Sequence, residues 1–211
     1  PIFLLIPISL LAAEVNRHDV DFSGDWEVDY QLSDHTNEKI RQVYVETRSK
    51  VEAQLRRQSN RTFAVDPSIF NLGSIVGLGQ LAERIGQATV LDISQRDGYV
   101  VIKRNDDFSL VCDFSDMQPK ASVIGFESCA WDEDQLIFQI NLPDGLNAEH
   151  TLSIASDRSR LNIATKVWID GLGYPFTLNR VYMPFEPGES LYQCEYTIAS
   201  QTTCSLLGTE P

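Results

Sequence analysis

The sequence predicts an all-β protein: an antiparallel up-and-down barrel of about 8–10 strands with a helical insertion between the first and second strands. Three observations carry that reading. From Ala88 onward, strand-like runs and turn signals alternate every 8 to 14 residues with no helical period between them. FSGDWEVDY (22–30) alternates apolar and polar residues and stands apart from that array. Between the two, residues 34 to 86 switch to helical spacing. A meander of about nine strands curls closed, because closure removes its exposed edges.

The first thirteen residues, PIFLLIPISLLAA, carry no charge and end in Leu-Ala-Ala before Glu14. They read as the apolar core and cleavage site of a secretory signal peptide, 1–13, truncated at its N-terminus. The competing reading is a retained membrane anchor. No later apolar run is long enough to span a bilayer, so no stable membrane span is expected after cleavage. Residues 14–211 are read as one domain, periplasmic or secreted. The formal net charge of −13 argues against binding nucleic acid through its phosphates.

In the opening strand Phe22, Gly24, Trp26, Val28 and Tyr30 form the dry face, with Ser23, Asp25, Glu27 and Asp29 on the wet one. The helical insertion, 34–86, has two parts. In the first, Ile40, Val43, Tyr44, Val51 and Leu55 recur at helical spacing. Glu46–Lys50 and Glu52–Arg56 are favourable i,i+4 pairs there. Residues 34–61 hold seven basic and four acidic side chains, net +3, leaving −16 for the remainder. A basic helix on an acidic body is either a solvated face of its own domain or a docking surface for a partner or anionic lipid.

The second part, SIFNLGSIVGLGQLAERIG (68–86), is apolar and glycine-rich, with Ile75, Leu78, Ala82 and Ile85 at helical spacing. It is expected to lie against the barrel end as a short helix or lid. Its GLGQLA matches G-x-G-x-x-A, but the continuous β pattern that follows lacks the crossover helices that dinucleotide binding needs.

The strand runs are TVLDISQ, YVVIKR, FSLVCDF, SVIGFESCAW, QLIFQINL, HTLSIAS, RLNIATKVWI and YPFTLNRVYMPF. Asp97-Gly98 is the strongest hairpin signal among them. Four cysteines allow three pairings, and none forms C-x-x-C. Cys112 and Cys129 lie symmetrically about the turn-like MQPKAS, so a hairpin there sets them face to face. Cys194 and Cys204 then pair and pin the tail, 186–211. Both bridges are read as structural and suit an oxidising compartment.

The last strong strand puts Phe176, Leu178, Arg180 and Tyr182 on one face. A guanidinium in an apolar row must be paired or stacked. Barrel closure brings this strand beside the first, so Arg180 is expected to stack on the Trp26 ring. Gly24-Asp25-Trp26 on the first strand and Arg180 on the last resemble the signature pair of the lipocalin-like, or calycin, barrels. More narrowly, the chain is similar to secreted bacterial lipocalin-like domains that open with F-S-G-x-W. The resemblance covers the opening strand and residues 88–185, and it implies a cup that binds a small apolar ligand. The chain departs from the family in its long helical insertion and in lacking T-D-Y, and the insertion is placed to cap or fill the mouth.

Chemical motifs are absent. His18, His35 and His150 are scattered without metal spacing, and no G-x-S-x-G, P-loop or H-E-x-x-H occurs. No catalytic residue, metal or cofactor is assigned. The expected function is that of an exported, non-enzymatic binder of a small hydrophobic ligand, with Trp131, Trp168, Phe138 and Tyr99 as candidates to line its pocket. The alternative is an envelope interaction module, an inhibitor or assembly factor, docking on a protein partner through the basic helix 34–61.

Overall fold

The computed structural model describes residues 20–58, 72–106, 108–116, 118–122, 125–172 and 174–186, with the backbone of 192–196 and 202–206. The expected signal peptide and residues 68–71 of the expected lid lie outside this set. The elements run β1 (Gly24–Asp29), α1 (Thr36–Gln58), α2 (Gly73–Ile85), β2 (Val90–Arg96), β3 (Tyr99–Arg104) and β4 (Ser109–Asp113). There follow β5 (Lys120–Ala121), β6 (Phe126–Asp132), β7 (Gln135–Asn141), β8 (Leu146–Ile154), β9 (Leu161–Ile169) and β10 (Phe176–Pro184). A separate hairpin pairs β11 (Tyr192–Tyr196) with β12 (Thr202–Leu206).

The first ten strands form one antiparallel sheet in the order 4-3-2-1-10-9-8-7-6-5, curled into a half-barrel. Both helices stand between β1 and β2, where the helical spacing placed them. GLGQLA falls inside α2 and not in a strand-to-helix turn. The first and last strands of the curl are neighbours, as closure requires, with Val28 opposite Tyr182. Along β9 burial alternates residue by residue, Leu161, Ile163, Thr165 and Val167 facing inward. That period-2 pattern, repeated strand after strand, makes one concave dry face.

Two apolar clusters fill the concave face. At the base, Phe22, Trp26, Leu91, Leu136, Leu152 and Leu161 are buried together. Phe22 stacks on Trp131, and Phe114 stacks on that same indole, at centroid distances of 5.8 and 5.7 Å. Arg158 locks this end by donating Nη1 to Asp21 and Nη2 to the Ser23 carbonyl oxygen. At the opposite end Ile75, Leu78 and Ala82 of α2 pack on Ile140, Ala148, Val167, Phe176 and Leu178. The helix therefore fills the barrel mouth.

The seam corrects one expectation. Cys112 and Cys129 are bridged, with Cα atoms 5.8 Å apart, but not across a hairpin. The middle of MQPKAS is itself a strand, β5, which pairs with the first two residues of β6. Beyond β5 the outer edge of β6 meets β4, and no ladder joins them among the described residues. The disulfide spans that gap, and Lys120 of β5 adds exposed ion pairs to Asp113 and Asp116, each at 3.8 Å. Exposed pairs of this kind contribute little. In the C-terminal hairpin the backbone register sets Cys194 opposite Cys204, as the expected pairing requires. Their side chains lie outside the described residues.

α1 presents a stripe of Ile40, Val43, Tyr44, Thr47 and Val51 at helical spacing and leaves its other faces exposed. It rests on α2 at Gly79, where a Cβ would fall 2.4 Å from Ile40 Cγ1 and 3.2 Å from Phe176 Cζ. Around Gly77, one residue pair earlier in the same helix, nothing lies within 4 Å. The two glycines should therefore respond oppositely to alanine. Gly79→Ala is expected to destabilise by about 1–3 kcal/mol through overpacking. Gly77→Ala should stabilise by up to ~1 kcal/mol through helix propensity. Urea midpoints of the two variants check both signs.

A second expectation concerns the seam. Replacing Cys112 and Cys129 together by Ala should cost roughly 3 kcal/mol, the chain-entropy value for a loop of 17 residues. An unchanged unfolding midpoint would mean that other contacts hold the two edges together.

Candidate functional site

Between the two apolar clusters lies a polar layer, and Arg180 is its centre. The alternation of β10 sends Arg180 inward with Phe176, Leu178 and Tyr182, leaving its side chain only 12% exposed. Nη2 donates to Glu83 Oε2 at 2.5 Å. The same oxygen of Glu83, near the C-terminus of α2, accepts from the Thr36 hydroxyl at the start of α1. One carboxylate thus ties both helices to the sheet. The Nε of Arg180 is buried and has no hydrogen-bond partner.

Arg104, His150, Thr165, Tyr182 and Gly86 surround Arg180 on a cavity of about 20 Å³, room for a single water. Arg104 is held by Asp106, with Nε donating at 3.0 Å and Nη2 at 2.6 Å. Two guanidinium groups thus enter the barrel, each matched by a carboxylate. His150 Nδ1 lies 3.0 Å from the Thr165 hydroxyl. Burial, and next the nearby Arg104 charge, lowers the pKa of His150 from 6.5 to about 4. Tyr182 donates its hydroxyl to the Ala88 carbonyl oxygen at 2.9 Å. Burial pushes the Tyr182 phenol up to about 12. At neutral pH the layer therefore offers a neutral imidazole, a protonated phenol and two paired guanidiniums.

The expected stacking of Arg180 on Trp26 is overturned. Trp26 stands opposite Pro184 in the β1–β10 register, so Arg180 sits four residues away along the ladder, about 13 Å. The strands are adjacent, as parity and closure required, but the residues lie at different levels. Trp26 instead donates Nε1 to the Phe22 carbonyl oxygen at 3.1 Å. Gly24 holds φ at +137°, and the Trp26 Nε1 lies 3.6 Å from where its Cβ would be. The glycine before the tryptophan supplies a backbone conformation that other residues rarely adopt, and the indole covers it.

The pocket-lining candidates divide between the two faces. Trp131 and Phe138 face inward, and Phe138 is buried in the base cluster. Trp168 lies on the outer face with the Lys166 ammonium 4.9 Å from its ring centroid. Tyr99 also points outward and is 39% exposed. Neither outer residue reaches the cup. A pocket of about 50 Å³ opens at the seam beside Cys129 and Phe138. An open depression of about 480 Å³ lies on the outer side of β8–β10, lined by Leu32, Arg160 and Val181 among others.

Sequence reasoning missed Glu83, Arg104 and Thr165, and it saw in His150 only a histidine without metal spacing, first in the run HTLSIAS. Parity carried the missing signal: Arg104 shares its face with Val100 and Ile102, and His150 with Ala148 and Leu152. Among the described residues no group of three His, Cys, Asp or Glu side chains is placed to hold a metal ion. Among them, too, no helix is long and apolar enough to cross a membrane. No protein-family model, curated protein or solved structure matches the chain.

The buried imidazole has a measurable consequence. Folding disfavours its charged form, so the unfolded state binds the proton first. Stability should then fall as pH drops from 6.5 towards about 4. The loss is at most roughly 3 kcal/mol. Asp21, Asp113 and Asp157, held below 3.8, release their contributions only at lower pH. His150→Gln should flatten the profile within the upper window, and an unchanged slope there would mean that His150 is charged in the folded protein.

Proposed function

We propose that the chain is an exported, non-enzymatic protein of lipocalin-like type that binds a small hydrophobic ligand on the inner face of its barrel, with α2 as the lid. The observation that carries this reading is the seat of α2. Its apolar side packs on Ile140, Ala148, Val167, Phe176 and Leu178, which form a concave surface at the barrel mouth. Its polar attachment to the sheet runs through Glu83 and Arg180. The cavity beside Arg180, about 20 Å³, and the pocket at the seam, about 50 Å³, are far below the several hundred Å³ of a ligand pocket. A ligand would therefore enter in exchange for the helix.

Magnitudes favour such an exchange. Uncovering Ile75, Leu78 and Ala82 costs about 5 kcal/mol. Burying a chain of about a dozen methylenes returns about 10 kcal/mol. The Gly-Asp-Trp opening and the pairing of first with last strand support the lipocalin likeness.

A second reading rests on α1. Its exposed faces carry Arg41, Arg48, Lys50, Arg56 and Arg57 together with the exposed Val45 and Leu55. Such a surface suits an acidic envelope protein, and a barrel filled by its own side chains is compatible with a role played at the surface.

Native mass spectrometry of the protein from its own host separates the two. A retained small-molecule mass, with faster hydrogen exchange over 73–85 than in the stripped protein, is the outcome expected of the ligand reading. A retained protein partner that is lost on Arg48→Glu/Arg56→Glu substitution would replace it with the second.

A further inference from the structure

We infer that the seam between β4 and β6 is a latched slot for an extended peptide segment of alternating apolar and basic residues. The segment adds as a strand once a partner dithiol has opened the Cys112–Cys129 bridge. The slot stands apart from the cup and from α1, and its test bears on neither.

Strand direction and hydrogen bonding define the slot. In the antiparallel order 4-3-2-1-10-9-8-7-6-5, β4 and β6 run the same way. One strand running against both would close the ring. β5 begins that strand opposite the first two residues of β6, but Pro119 precedes it and has no N–H to offer β4. On the β4 side, Arg104 and Phe114 donate backbone N–H to the Phe108 and Gly98 carbonyl oxygens at 3.1 and 2.9 Å. That phase turns the N–H groups of Ser109, Val111 and Asp113 away from β3 and towards the seam. On the other side Ser122 donates to the Gly125 carbonyl oxygen, and the main chain of Cys129 shares that phase. No backbone bond joins β4 to residues 128–132 among the described residues. Open sheet edges of this kind are templates for a further strand.

Side chains set the chemistry of the occupant. The seam pocket is lined by Leu110, Phe138 and Ile140 and by the acids Asp113, Asp116 and Glu127, against one basic residue, Lys120. Lys120 reaches Asp113 and Asp116 from β5, at 3.8 Å each, so it already shows what a basic residue in this strand meets. A segment that alternates apolar and basic residues continues the pattern. Its apolar side chains face Leu110 and Phe138, and its basic ones face the two aspartates. Their aliphatic stems cover the exposed Val111 and Phe126 on the outer side of the two edges.

The bridge is the latch. It holds its two Cα atoms 5.8 Å apart, whereas an inserted strand needs its neighbours about 9.5 Å apart, two strand spacings. Bridge and strand therefore exclude each other. Cys112 is buried and Cys129 lines the seam pocket, so an incoming thiolate reaches Cys129 Sγ. Its attack forms a mixed disulfide, breaks the bond between the two cysteine sulfurs and releases Cys112 as the thiolate. The dithiol's second thiolate then attacks the dithiol's own first sulfur and frees Cys129. The dithiol leaves as a disulfide, and its two electrons and two protons end on the two cysteines.

The test uses the full chain and the peptide Lys-Val-Lys-Val-Lys-Val-Lys, blocked at both ends and titrated by calorimetry. Cys112→Ala/Cys129→Ala holds the seam open, with circular dichroism as the check on folding. It should bind the peptide about tenfold tighter than oxidised wild type, with hydrogen exchange slowed over 109–113 and 128–132. Dithiothreitol should bring wild type to the same affinity, which keeps the test in force if the double variant does not fold. N-methylation of alternate peptide residues removes main-chain donors and leaves the charge, and should weaken binding about tenfold. Val111→Pro, added to the open form, removes a donor that faces the slot and leaves the β3 ladder whole. It should weaken binding about fivefold.

Equal binding by oxidised wild type and the open forms would overturn the latch and the inference with it. Equal binding of the methylated peptide would mean that charge alone holds it and no strand is added, which overturns the inference too. So does a failure of the peptide to bind either open form. The cup reading is untouched by all three results.

Discussion

A charge set in an apolar row governs this structure. Arg180 faces the barrel interior because β10 alternates, and its neighbours on that face are Phe176, Leu178 and Tyr182. A buried guanidinium left bare would cost several kcal/mol, enough to threaten a domain of this size. The residue that relieves it comes from outside the sheet. Glu83 reaches in from α2, and Thr36 of α1 joins it. The position of both helices over the mouth follows from that one requirement together with the apolar seat beneath α2.

The helices in turn explain why the barrel is full. An antiparallel half-barrel of ten strands encloses space that its own inward side chains occupy only at the base, around Trp26 and Phe22. The other end is occupied by α2, brought close by Gly79, which allows Ile40 and Phe176 to approach the helix backbone. α1 touches the sheet little and covers α2 from outside. The layering is therefore sheet, α2, α1, with the polar residues at the junction of base and mouth.

Much of this was legible in the chain. Period-2 alternation gave β7, β9 and β10 nearly to the residue, and helical spacing gave both helices with their order. Arg180 stood out because it breaks a clean pattern. Its partner did not, because the sequence fixes the face of a residue but not its level along a neighbouring strand: Trp26 was on the right face at the wrong height. Glu83 flanks the buried stripe of α2 and reads as an ordinary surface acid. His150 went unrecognised because β8 begins at Leu146, earlier than its hydrophobic run suggested, which sets the histidine mid-strand. The disulfide was found for a partly mistaken reason, since symmetry about MQPKAS survives although a strand, and not a turn, lies at its middle.

The order of strands carries a consequence for how the chain reaches this state. The sheet's edges, β4 and β5, are consecutive in sequence, while β1 and β10, from opposite ends of the sheet-forming chain, pair at its centre. Local hairpins can assemble β2 to β4 and β5 to β10 early and independently, while β1, set apart from β2 by both helices, joins them later. Joining them needs the long-range pairing of β1 with β10, and such contacts are slow because the chain loses loop entropy before the pairing rewards it. During synthesis β1 must wait with one edge unpaired until the final strand has emerged. The seam, by contrast, is bridged between near neighbours, so the cross-link can set before the two halves have met.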